Sequence, residues 1–156
     1  MKRCLTMTFA VVATAATAFG ADNTLGSWKY NTARSTTPAG VSPITRLTVT
    51  REAISGGVKV TAKGERKDGS KIDTTTIAKY DGKEVPVKGS GLAWDTVSIK
   101  QSGDNALIEE RTRKGGKYHS TVKTVVSGDG KTMTATFEGT GTDGRPLTGT
   151  SVFDKQ

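Results

Sequence analysis

The feature that most limits how this chain can fold is a train of glycine turns. They stand at "SGG" 55–57, "KDGS" 67–70, "YDGK" 80–83, "KGSG" 88–91, "SGDN" 102–105, "KGG" 114–116, "GDG" 128–130 and "TDGR" 142–145. Glycine has no Cβ and takes positive φ without penalty, which tight hairpin turns demand. The segments between these turns are short and rich in Val, Ile and Thr. Such spacing predicts an all-β protein whose strands follow one another as a meander.

Alternation supports strands over helices. In "VKVTAKGE" Val58, Val60 and Ala62 share one face while Lys59, Thr61, Lys63 and Glu65 share the other. "MTATFEG" likewise groups Met133, Ala135 and Phe137 against Thr132, Thr134, Thr136 and Glu138. A period of two puts one set inside and the other in water. Ten strands are expected, at 25–31, 44–52, 57–66, 70–80, 84–88, 92–101, 105–113, 117–127, 131–141 and 146–154. No window has a helical period. The one long link, "TARSTTPAGVSP" at 32–43, suits a loop across a barrel end. A run of antiparallel strands leaves two exposed edges, and closure removes them. The expected fold is therefore an antiparallel up-and-down meander closed into a small barrel of about 8–10 strands. Residues 21–156 would form this single domain.

Residues 1–20 read differently. Lys2 and Arg3 precede the uncharged run "CLTMTFAVVATAATAF", and small residues cluster at "ATAFGA". That pattern predicts a secretory signal peptide cleaved near Ala18 to Ala21, and a periplasmic or secreted product. No other apolar run approaches the ~20 residues of a membrane-spanning helix. Cys4, the only cysteine, falls within the signal, so the exported chain is expected to be held by its core without disulfides. The net charge of +8 includes Lys2 and Arg3, and the remainder favours solubility and weak attraction to anionic envelope surfaces. Export argues against nucleic acid as a partner.

Catalysis and metal binding have little to work with. His119 is the only histidine, no Gly-x-Ser-x-Gly elbow occurs, and no calcium-loop motif is present. Glu109 and Glu110 are adjacent on a strand and point to opposite faces, so they cannot act as a carboxylate pair. No enzyme activity, metal or cofactor is expected. A closed barrel with a small-molecule interior would draw its wall from Tyr30, Leu47, Val49, Val58, Val60, Trp94, Tyr118, Val122, Met133, Phe137 and Phe153. Trp28, on the first strand, would plug one end, provided the indole N–H finds an acceptor. In "ERTRKGGKYH" the cations Arg111, Arg113, Lys114 and Lys117 gather at a hairpin beside Tyr118, where they could meet an anionic surface or head group.

The opening "GSWKYN" at 26–31 and the closing "GTSVFDKQ" at 149–156 resemble the first and last strands of calycins, the lipocalins and fatty-acid-binding proteins. The resemblance implies a barrel that binds apolar or amphipathic ligands. Two departures accompany it. Fatty-acid binders place two helices between their first strands, where this chain has only 32–43. Their carboxylate-binding arginines and tyrosine align near Thr124, at Ser151 and at Phe153, which implies a ligand held by burial without a charge clamp. The expected function is an exported, non-enzymatic binding barrel. Its rival is an envelope or protein-interaction domain with a filled core, such as an inhibitor-type barrel.

Overall fold

The computed structural model describes residues 21–156; the segment read as a signal peptide, with Cys4, lies outside the described residues. Eleven strands succeed one another, with no helix among the described residues. They are β1 (Gly26–Tyr30), β2 (Ile44–Ile54), β3 (Gly57–Arg66), β4 (Lys71–Lys79), β5 (Val85–Pro86), β6 (Lys88–Ser90), β7 (Thr96–Gln101), β8 (Ala106–Thr112), β9 (His119–Val126), β10 (Thr132–Thr140) and β11 (Pro146–Lys155). Every pair is antiparallel, in the order β5-β7-β8-β9-β10-β11-β1-β2-β3-β4-β6. The first and last strands lie side by side, with Trp28 opposite Lys155 and Tyr30 opposite Phe153. The result is an up-and-down meander curled into a nearly closed barrel.

The Asp-Gly turns show why the meander forms. In each, the Asp carboxylate accepts the backbone N–H two residues on: Asp68 from Ser70, Asp81 from Lys83, Asp129 from Lys131 and Asp143 from Arg145, at 2.9–3.0 Å. The following glycine takes the positive φ that turns the chain back.

The barrel closes at a seam between β4 and β7, and one segment serves both edges. Val85 and Pro86 pair with Val97 and Thr96 of β7, whereas Lys88–Ser90 pair with Asp73–Thr75 of β4. The single strand expected at 84–88 is thus split in two. Pro86 has no N–H and cannot sustain one continuous ladder; Val87 instead donates to the Asp95 carbonyl at 2.8 Å. Gly89 lies so close to β4, at φ 102°, that a Cβ there would stand 2.0 Å from the Asp73 carbonyl oxygen. The strand expected from 92 starts only at Thr96, since 92–95 bend across the barrel end.

Strand directions put the turns after β2, β7 and β9 at one end, with residues 22–25. The turns after β3, β8 and β10 and the 32–43 loop are at the other. Trp28 is wholly buried toward the first end, packed with Leu47, Val126, Met133 and Phe153. Its Nε1 donates to the Thr24 carbonyl at 2.8 Å, and the Lys155 ammonium sits 4.3 Å from the ring centroid. A second apolar cluster, Val58, Ala78, Val97, Ile99 and Leu107, supports the β3, β4, β7 and β8 walls. Among the described residues no helix is long and apolar enough to cross a membrane.

Candidate binding cavity

The interior holds a cavity of about 230 Å³ that reaches the end crossed by residues 36–42. At that mouth Arg66 donates to the Ser42 carbonyl at 3.0 Å and the Gly91 carbonyl at 3.3 Å, tying the long loop to the seam segment. Nine of the eleven wall residues expected from the sequence line the cavity: Tyr30, Leu47, Val49, Val60, Trp94, Tyr118, Met133, Phe137 and Phe153. Val58 and Val122 do not. Both are wholly buried, Val58 within the second apolar cluster and Val122 between Glu109 and Phe137 in the sheet. Tyr30 and Phe153 meet edge to face, their centroids 5.5 Å apart. Thr74, Thr76, Thr124 and Ser151 add hydroxyls to the wall.

The wall also carries charge. Arg51 of β2 and Glu109 of β8 reach each other from separate parts of the barrel, Nη1 to Oε1 at 3.4 Å, with side chains 4% and 6% exposed. Arg111, two residues beyond Glu109, donates to Oε2 from Nε at 3.0 Å and from Nη2 at 2.7 Å. Its guanidinium lies 4.4 Å from the Trp94 ring centroid, and Trp94 stacks on Tyr118 at 5.7 Å. Burial pushes the Glu109 carboxyl up, but the charges and hydrogen bonds of Arg111 and Arg51 outweigh it and hold the group below its ordinary value. Ionised, the trio carries one net positive charge.

Arg51 is the incompletely satisfied member. Its Nε and Nη2 are buried and have no hydrogen-bond partner among the described residues. Tyr80, nearby, donates its hydroxyl to the Asp22 carboxylate. Burial first, then that carboxylate, raise the Tyr80 pKa well above the usual phenol range, while the Arg51 charge pulls it down.

The hairpin cations are divided where β8 ends, at Thr112, beyond which alternation no longer holds. Arg111 turns inward to the cavity. Arg113 and Lys114 face out beside Asp95 at 3.6 Å and Glu84 at 3.8 Å. His119 is exposed and 3.2 Å from Glu110. Thr124, Ser151 and Phe153, the positions aligned with the fatty-acid binders' anchors, do face the cavity. The charge there comes from β2 and β8 instead.

Neither Arg51 nor Glu109 was expected in the cavity wall from sequence, although parity carries the signal. Arg51 shares a face with Leu47 and Val49, and Glu109 shares one with Leu107. A charge on the apolar face of each of two strands marks an interior pair. Compared with known proteins, this chain matches no family model, no curated protein and no solved structure.

Proposed function

We propose that this is an exported, calycin-like barrel that takes a small apolar or amphipathic molecule into its interior and carries it unchanged. The observation that supports the reading is the cavity of about 230 Å³, walled by aromatic and aliphatic side chains with a few hydroxyls. That mixture is typical of small-molecule sites, and the size falls below the ~300 Å³ at which drug-sized pockets begin. The ligand is small. Native mass spectrometry of protein recovered from its own cells tests this reading. The expected result is an adduct that is lost on denaturation, together with a fluorescence response to apolar dyes. A bare mass and no dye response overturn it and favour a filled-core interaction domain.

Contact with an anionic envelope surface is a second, compatible reading. It is favoured by Lys117, which forms no ion pair among the described residues, next to Arg113 and Lys114, whose pairs are exposed. Exposed pairs contribute little and are screened by salt. Replacing all three by alanine is expected to weaken attachment to anionic vesicles at low salt; equal attachment refutes it.

A further inference from the structure

We infer that the cavity selects an uncharged carbonyl compound and discriminates against the matching carboxylate. This inference rests on the carrier reading and names the ligand class. Two donors of the Arg51 guanidinium, Nε and Nη2, are buried without an acceptor on the cavity wall. Buried polar groups are almost always paired, and each orphan is costly. Nε and Nη2 form one edge of the guanidinium, the same edge with which Arg111 holds Glu109. Arg51 is short of an acceptor at that edge, and the neighbouring charges decide which kind it takes.

Arg51 and Arg111 are the cations of this cluster. Glu109 takes two bonds from Arg111, at 3.0 and 2.7 Å, and one from Arg51, at 3.4 Å. The Asp22 carboxylate is the second anion; it accepts from the Tyr80 hydroxyl, which lies beside Arg51. Two cations and two anions cancel. A ligand carboxylate would add a negative charge that nothing in the cluster offsets, where desolvation is severe. A carbonyl oxygen adds no charge. It has two lone pairs and no hydrogen, so it accepts from both donors and brings none that needs a partner. Arg51 lies level with Gly26 and Val60, on the Trp28 side of the cavity. The carbonyl thus sits inward, and the hydrocarbon part runs past Tyr30, Met133 and Phe153 toward the mouth.

Titration calorimetry with 2-heptanone, hexanoate and 2-methyl-1-heptene tests the inference. The three share a pentyl chain and differ in the group offered to Arg51: a carbonyl, a carboxylate ionised at about pH 8, or a hydrocarbon. Wild type is expected to bind 2-heptanone at least about tenfold more tightly than hexanoate. Arg51→Met is expected to weaken 2-heptanone by about tenfold or more and to leave the alkene unchanged. Infrared spectra of carbonyl-labelled 2-heptanone give a second readout. On wild type the C=O stretch is expected below its frequency in hexane. A preference over hexanoate of less than about tenfold overturns the carbonyl inference and spares the carrier reading. So does a loss in Arg51→Met that is below about tenfold or shared by the alkene. A stretch unshifted from hexane, as when Arg51 meets only water, does the same. No binding of any of the three, nor of an apolar dye, overturns both readings. The comparison and the spectrum on wild type stand even if the variant does not fold.

Discussion

Replacing Arg51 by methionine should leave the protein as stable as before or more so, whereas replacing its partner Glu109 by alanine should weaken it sharply. Both side chains are nearly inaccessible, at 4% and 6% exposure, so solvent screens neither. Arg51→Met removes one ion pair at 3.4 Å, a long contact at the low end of the ~1.5–3 kcal/mol of a charged hydrogen bond. It also removes two buried donors without acceptors, each costing about 1–3 kcal/mol. Methionine refills the space of the arginine stem, and Glu109 keeps both bonds from Arg111. The balance, about 2–6 less about 1.5, lies between about 0.5 and 4.5 kcal/mol in favour of the variant. Glu109→Ala instead leaves two guanidinium groups buried or nearly so without a counter-charge, a loss of about 3–5 kcal/mol. Urea unfolding followed by tryptophan fluorescence separates the two. With a slope of about 2 kcal/mol/M, the alanine variant's midpoint falls by roughly 2 M and the methionine variant's stays or rises. A fall of 1 M or more for Arg51→Met would mean that Arg51 is structural, and the argument from its unmet donors would be wrong.

Three further outcomes follow from the geometry. Glu109 is held below its ordinary value of 4.5, so its contribution to stability is present above that pH and lost as pH falls through the lower folded value. Wild type should therefore lose urea midpoint faster than Glu109→Gln on acidification below about 4.5; parallel curves would contradict this. Trp28→Ala should cost about 3–5 kcal/mol, and Trp28→Phe about 1 kcal/mol through the unpaired Thr24 carbonyl, both read by urea unfolding. A loss below about 1 kcal/mol for the alanine variant would remove the indole from the core. Gly89→Ala should cost at least about 2 kcal/mol, through positive φ and a 2.0 Å clash with β4. Gly128→Ala, where a Cβ meets nothing within 4 Å, is the neutral control.

Much of the barrel was legible in local chemistry. Asp-Gly turns bend the chain through contacts two residues apart, and the parity of Met133, Ala135 and Phe137 fixes which face of β10 is inside. The seam was harder to read, because Val85–Ser90 looks like one strand until Pro86 ends its ladder and the next residues change partner. The charged trio was least legible. Arg51 and Glu109 stand 58 positions apart, and only the curvature of the sheet brings them together. Near Arg111 the cations read as one cluster at a hairpin facing an anionic surface. Arg111, however, lies within β8 and turns inward, while Arg113, past the strand end at Thr112, faces out. Val58 and Val122 show the converse limit: parity puts a side chain inside, but neighbouring bulk decides whether it touches the cavity.

The account rests on the ligand entering the barrel instead of lying on its outer face. Nuclear magnetic resonance during a 2-heptanone titration addresses this most directly. The expected result is that signals from Tyr30, Met133, Phe153 and the Arg51 Nε–H move together while the exposed Ile77 and Lys117 stay fixed. Movement confined to Ile77, Lys117 and other outward residues, with the interior signals unchanged, would contradict it.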